Sequence, residues 1–287
     1  MSQEGLGLHP AHLRRLAEQA LMEDRAYEDP TTAALVPEGQ KGRGVLLAKA
    51  EGVVAGLPVA EAVFLALDPS LRFHVVVEDG ARVSPGQRVA VVEGSLSPIL
   101  RAERTALNYL QRLSGIATLT ARFVERLKGT GVVLRDTRKT TPGLRTLEKY
   151  AVRIGGGKNH RLHLADGILI KDNHLQALRA RGLGIADAVR LCREAYPHLP
   201  LQVEVTSLEE AHEALAAGAQ ALLLDNMPLE EMRQVVAVAQ GRVILEASGG
   251  ITLDNVREVA ATGVDYISVG AITHSAPALD ISLEVEI

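Results

Sequence analysis

The chain has 287 residues, 47% hydrophobic and only 3% aromatic, with 31 Lys and Arg against 35 Asp and Glu for a formal net charge of −4. That length suits one large domain or a barrel with a smaller companion, and the acidic balance excludes a general nucleic-acid or membrane-surface binder, which needs a basic face backed by a basic composition. No run approaches the roughly 18 to 20 apolar residues of a membrane span, the N-terminus lacks a signal-peptide core and the single cysteine, Cys192, can form no internal disulfide, so a soluble, cytoplasmic protein is expected.

In chain order, GVLLAKA, LRFHVVVEDG and RVAVVEG are separated by the turn residues Asp79-Gly80 and Pro85-Gly86 and predict strands of a separate antiparallel sheet. Within them VVVEDGARVSPG reads as a hairpin and not as a phosphate loop, because Pro85 falls where a phosphate cradle would need an amide. The stretch SPILRAERTALNYLQRLSGIATLTARFVERLKG is helical in pattern and predicts two helices meeting near Ser114-Gly115.

From residue 130 onward a different rhythm begins: a short β-branched run, a charged or small residue at its end, then an amphipathic stretch. VVLRD, ILIKD, LQVEV, ALLLD, VILEA and YISVG predict six strands. The last four begin at Leu201, Ala221, Val243 and Tyr266, a spacing of about twenty residues that fits one strand, one helix and two short loops. Helix starts are predicted at Ser207, Pro228 and Thr252, each helix closing at a Gly. This is a (β/α) barrel rhythm, and six clear strands do not assure closure at eight. The final LDISLEVEI alternates, with Leu279, Ile281, Leu283, Val285 and Ile287 on one face. It predicts a half-buried strand that returns to the N-terminal sheet.

Functional groups of such a barrel stand at the C-terminal ends of its strands. Those ends are Asp136, Lys171, Glu204, Asp225, Glu246 and the turn from Ser268 to Gly270. Charges closing buried strands are costly unless paired or bound, so the set points to a site. Arg138, Lys139, His160, Arg161 and Lys171 crowd positive charge into one stretch of an acidic chain, which calls for a small ligand with several negative groups. Arginine supplies a fork for carboxylates and lysine a point charge for phosphate. The glycines of EASGGI (Ser248, Gly249, Gly250) and of SVGAIT (Gly270, Ala271) come last, where barrels commonly hold a phosphate on backbone N–H groups. Glu204 and Asp225 end neighbouring strands and suit ribose hydroxyls or a hydrated Mg²⁺. The glycines at 155–157 lack the remaining residues of a P-loop, and His160, His163 and His174 have no Cys or carboxylate partners at zinc-ligand spacing.

With these residues in place the chain resembles the quinolinate phosphoribosyltransferase family, along EDPTT, ERTALNYLQRLSGIAT, DTRKTTPGLR, GGGKNHRLHLADGILIKDNH, QVEVT, LLLDN, EASGGI and SVGAITHSAPALDISL. The resemblance implies an α/β fold: an open seven-stranded (β/α) barrel over 114–274 with an N-terminal α/β sandwich domain over 1–113, completed by a C-terminal strand over 275–287. It implies conversion of quinolinate and phosphoribosyl diphosphate to nicotinate mononucleotide, diphosphate and CO₂, in de novo NAD biosynthesis. Lys139, Lys171, Glu204 and Asp225 would be catalytic. Arg104, Thr137, Arg138, His160, Arg161, Ser248, Gly249, Gly250, Ser268, Gly270 and Ala271 would bind substrate. Mg²⁺ would be the cofactor, held by Glu204 and Asp225 through water and diphosphate. The resemblance further implies a homodimer that shares its active sites through Arg104, and such dimers could assemble into a hexamer. Two other readings stay open: a transferase acting on nicotinate without decarboxylation, and a non-catalytic sensor of phosphorylated metabolites.

Overall fold

The computed structural model of the protein describes residues 8–287. In chain order the helices are α1 (Pro10–Glu23), α2 (Pro30–Leu35), α3 (Leu57–Leu67), α4 (Leu96–Leu127), α5 (Arg145–Ile154), α6 (Asp172–Arg179), α7 (Ile185–Ala195), α8 (Leu208–Ala216), α9 (Leu229–Ala239), α10 (Val256–Ala260) and α11 (Ala271–His274). The strands are β1 (Lys41–Ala48), β2 (Gly52–Val53), β3 (Arg72–Val75), β4 (Arg82–Val83), β5 (Arg88–Ser95), β6 (Val133–Arg135), β7 (Ile168–Ile170), β8 (Leu201–Val205), β9 (Ala221–Asp225), β10 (Ile244–Ser248), β11 (Tyr266–Ser268) and β12 (Ile281–Glu286). The chain forms two compact units. The first takes the chain through Ala121 together with Thr141–Gly156 and Ile272–Ile287; the second takes Arg122–Thr140 and Gly157–Ala271.

The first unit is built on an antiparallel sheet in the order β12-β1-β5-β3. Alternation along β1 and β5 sends Leu46, Ala48, Ala90 and Val92 into a core shared with Leu21 of α1, Phe64 of α3 and Ile99 and Leu110 of α4. With so few aromatics, this core is filled mostly by aliphatic side chains, Phe64 being among the largest that are wholly buried. The C-terminal strand does return here: β12 pairs antiparallel with β1, from Arg43 opposite Glu286 to Ala48 opposite Ile281. Its alternation fades outward, with Ile281 buried and Val285 and Ile287 exposed.

Two expectations are corrected in this unit. The DG-containing stretch closes no hairpin: β3 pairs with β5, whereas β4 pairs with β2. Asp79 is the reason. Its carboxylate accepts hydrogen bonds from the amides of Gly56 (2.8 Å) and Leu57 (3.1 Å) at the start of α3 and from the hydroxyl of Tyr150, so the turn serves as a helix cap. Burial pushes the Asp79 carboxyl above its usual range despite these donors. Secondly, α4 is one helix of 32 residues. Ser114-Gly115 is there for packing: the Ser114 hydroxyl exchanges hydrogen bonds with the backbone of Ala55, and a Cβ at Gly115 would collide with the carbonyl oxygen of Pro277. Close backbone approach, rather than a chain break, requires glycine at this point.

The second unit holds a six-stranded, all-parallel sheet in the order β6-β11-β10-β9-β8-β7. All six runs predicted after residue 130 are strands of it. Ser207 caps α8 through its hydroxyl, accepting from the amide of Glu210 (3.2 Å), and Pro228 precedes α9. Helix α10 starts only at Val256, four residues after Thr252. Asn255 turns back to accept a hydrogen bond from the Thr252 amide (2.8 Å), and turn structure fills the interval.

Candidate active site

The register of the parallel sheet assembles the site. Glu204 of β8 lies opposite Leu223 of β9, Leu223 opposite Glu246 of β10, and Glu246 opposite Tyr266 of β11. Two residues further along, Asp225 lies opposite Ser248, and Ser268 opposite Arg135. Paired residues project to the same side and alternate along each strand, so Glu204, Asp225, Ser248, Glu246, Ser268 and Arg135 share one face. Lys171 directly follows the Ile170–Val203 pair and joins the same row.

At the outer edge of this face, Lys171 Nζ stands 3.8 Å from Glu204 Oε2. That is too long for a hydrogen bond, and burial prevails: the Glu204 carboxyl is pushed above its usual range by desolvation first, while Lys171 pulls it down and Asp225 pushes it up. Two carboxylates that crowd each other favour a cation between them. Among the described residues no group of three or more His, Cys, Asp or Glu could hold a metal alone. The pair therefore fits a Mg²⁺ ion that keeps water and phosphate oxygens in its shell, not one caged by protein.

The turn after β10 is made for backbone approach. Gly249 (φ +89°) and Gly250 (φ +60°) adopt left-handed conformations, and a Cβ on Gly249 would run into the Asn226 side chain. Asn226 itself is left-handed (φ +52°), a conformation that asparagine tolerates. Its amide bonds the Ser248 carbonyl (2.9 Å) and its side-chain nitrogen donates to Asp225 Oδ2 (2.9 Å). Asn226 thus ties the ends of β9 and β10 together and aims Asp225. The sequence reading gave it no role, although an Asn directly after a strand-end Asp is the available signal.

The cationic arms follow β6. Asp136, fully buried, accepts from Asn159 Nδ2 (2.7 Å) and the His160 amide (2.8 Å), and Lys158 bridges in parallel to Arg135. Asp136 is therefore an anchor for the 158–160 segment. Beyond it, the Thr137 hydroxyl accepts from the Lys139 amide (3.0 Å), and Arg138 Nε is buried with no hydrogen-bond partner. Arg161 donates to the Gly167 carbonyl (2.8 Å), and its guanidinium is pushed below its usual range by burial and then by the charge of Arg138. Two arginines that repel one another in a partly desolvated setting await an anion. His160 and Arg161 also line a cavity of about 540 Å³ with Ile168, Leu201, Ala221 and Ile244, the first residues of β7 to β10.

Five predicted residues stand differently from the rim groups. Glu246 is no strand end: β10 continues to Ser248, and Glu246 is wholly buried in its middle. Ser268 is buried, with its hydroxyl committed to Glu246 Oε1. Gly270 and Ala271 lie at the turn where β11 gives way to α11. Arg104 belongs to the first unit, where it lines a second cavity with Arg25, Arg101, Glu28 and Asp29.

A parallel α/β sheet whose strand ends gather this chemistry defines an enzyme that handles small, multiply charged anions. Comparison with known proteins narrows the class. The family described as quinolinate phosphoribosyl transferase matches through its N-terminal domain over residues 29–114 and its C-terminal domain over residues 116–284. The nicotinate-nucleotide pyrophosphorylase (carboxylating) of Mycobacterium leprae is 45% identical, covering 95% of this chain and 96% of its own. The mitochondrial quinolinate phosphoribosyltransferase (decarboxylating) 2 of Nicotiana glauca is 39% identical over 97% of this chain and 84% of its own. Among solved structures, the nicotinate-nucleotide pyrophosphorylase of Francisella tularensis superposes with a TM-score of 0.90 at 38% identity, and NadC from Streptococcus pyogenes with 0.92 at 41%, each covering 97% of this chain and 98% of its own. The chain belongs to the quinolinate phosphoribosyltransferase family and is a phosphoribosyltransferase of NAD biosynthesis.

Proposed function

We propose that the rim of the parallel sheet is where quinolinate meets phosphoribosyl diphosphate, giving nicotinate mononucleotide, diphosphate and CO₂. The observation that carries this reading is the shared face: Lys171, Glu204, Asp225 and Ser248 stand together, with the arginine arms after β6 in the same unit. Arg138, Arg161 and Lys171 take the two carboxylates of quinolinate, with Arg104 supplied by a second copy of the chain. Thr137, Lys139, the glycine turns at 249–250 and 270, Ala271 and the backbone at Ser268 hold the phosphates, and Glu204 and Asp225 anchor the ribose hydroxyls. Mg²⁺ would be held by Glu204 and Asp225 through water and diphosphate oxygens and would supply neutralisation of the leaving group's charge. The unit itself is read as an open seven-stranded (β/α) barrel, a reading that the isolated Arg135–Lys158 bridge beside the six strands supports, in a cytoplasmic homodimer that can assemble into a hexamer.

The chemistry follows from the charges. Lys139 offsets negative charge on the departing diphosphate while positive charge grows at ribose C1, near the Glu204 and Asp225 carboxylates. The pyridine nitrogen attacks C1, and its quaternisation makes the ring an electron sink. The C2 carboxylate then leaves as CO₂, its bond pair remaining at C2, where Lys171 stabilises it until a proton arrives.

A coupled assay with quinolinate, phosphoribosyl diphosphate and Mg²⁺ should give CO₂ and nicotinate mononucleotide in equal amounts. Equal turnover of nicotinate, with no CO₂ from quinolinate, would instead establish the one-carboxylate transferase, and tight binding without turnover the sensor. Arg104→Ala should raise KM for quinolinate sharply, and mixing it with Arg138→Ala should restore part of the activity. No restoration in verified heterodimers would refute the shared site.

A further inference from the structure

One layer below the rim lies a buried polar network that the reaction does not use directly. Glu246 Oε2 accepts from Arg135 Nη1 of β6 (2.9 Å) and from Gln202 Nε2 of β8 (3.2 Å), and Oε1 accepts from Ser268 of β11. The His160 ring leans onto this network, with Nε2 at 3.3 Å from Gln202 Oε1 and 3.6 Å from Glu246 Oε2. Its other nitrogen, Nδ1, accepts the backbone N–H of Arg161 (2.8 Å). A nitrogen that accepts carries no proton, so the ring's single proton belongs on Nε2, pointing inward.

The charges around the ring agree with that state. Glu246 already has Arg135 as its counter-ion, and Asp136 accepts from the His160 backbone amide. From this geometry we infer that His160 serves the quinolinate site as a neutral, Nε2-protonated imidazole with both nitrogens engaged, and that Gln202 and Glu246 are the positioning residues that keep it so. His160 then shapes the pocket wall, gives no charge to a substrate carboxylate and is not the donor of the proton that replaces CO₂. This rests on the proposed quinolinate site, whose positive charge comes from Arg138, Arg161, Lys171 and Arg104.

Nitrogen-15 NMR of the free, full-length protein tests the first half. His160 should give the neutral Nε2–H pattern throughout about pH 6 to 8, the range in which an unperturbed histidine titrates. An Nδ1–H pattern, or a titration through that range, overturns the inference. Gln202→Leu should mix the tautomers and raise KM for quinolinate on the order of tenfold, with a far smaller change in kcat. An unchanged His160 spectrum and KM in that variant removes the positioning role. In the unaltered enzyme the KM for quinolinate should show no histidine step between about pH 6 and 8, and such a step would overturn the neutral ring independently of the spectrum. Absence of any quinolinate turnover would defeat the proposed function and leave the spectroscopic result standing.

Discussion

Lys171→Met should lower kcat by ~10²- to 10³-fold, the range for removing one preorganised group that stabilises developing charge, and should move the acidic limb of the pH–rate profile upward. The second effect comes from Glu204. Its carboxyl is raised mainly by burial, and Lys171 is the cation that restrains the rise. Without Lys171 the carboxylate gains its proton at higher pH, and the ionised form proposed to anchor ribose is lost sooner on acidification. The same displacement has a consequence for stability. A carboxyl whose folded pKa lies above its unfolded value favours the fold fully below the unfolded value, and loses that contribution as pH rises through the folded one. At neutral pH the ionised Glu204 therefore weighs against folding. Glu204→Gln should be inactive and more heat-stable than the parent near pH 7, a trade expected where function holds a charge in a poor place. Measuring kcat against pH for Lys171→Met, and Tm at two pH values for Glu204→Gln, checks both. An unmoved acid limb would detach Lys171 from Glu204.

Glu148→Ala should destabilise the protein by about 3–5 kcal/mol, the cost of breaking a buried ion pair by removing one partner. Glu148, fully buried on α5, accepts from Arg112 Nη2 of α4 (2.9 Å) and from the amide (3.0 Å) and hydroxyl (2.8 Å) of Thr141. Arg112 in turn donates to the carbonyls of Thr273 and Ala276 (3.2 Å). One carboxylate thus fastens three separate stretches of the first unit: the long helix, the segment opening at Thr141, and the return toward β12. With the carboxylate gone, an arginine with a quarter of its side-chain surface exposed keeps its charge without its counter-ion. Denaturant unfolding of Glu148→Ala and Glu148→Gln gives the measure. Losses below about 1 kcal/mol in both would mean that the pair behaves like an exposed one.

The second unit was legible because its strands are short, β-branched and evenly spaced. Each of the six runs became a strand, and Lys171, Glu204 and Asp225 fell on one face because the register preserves the period of two. What escaped reading were the side chains that work through other residues. Glu246 looked like a strand end because VILEA runs straight into Ser-Gly-Gly, and only the pairing of Ser248 with Asp225 shows the strand continuing past it. Asn226 shows in the sequence only as an Asn after a strand-end Asp, and the positive φ that lets it tie two strands is visible in the fold alone. In the first unit, the Asp79-Gly80 pair has the chemistry of a hairpin turn and is used as a distant helix cap. Ser114-Gly115 has that of a helix break and is used for contact with Pro277. In both cases long-range partners decided between two local meanings, and nothing within a short window of sequence names those partners.

The pairing of β1 with β12 also bears on synthesis. A nascent chain emerging from the ribosome exposes β1 early, whereas the strand that covers its edge follows only after the whole parallel sheet has been made. Until β12 emerges, the sheet offers an unpaired edge to any neighbouring strand, a known route to misassembly. Charge guards that edge: Arg43 within β1 and Lys49 just after it later pair with Glu286 and Glu284 of β12. β12 is thus admitted by its sign as well as by its alternation, and its synthesis is followed by a docking step that closes the sheet.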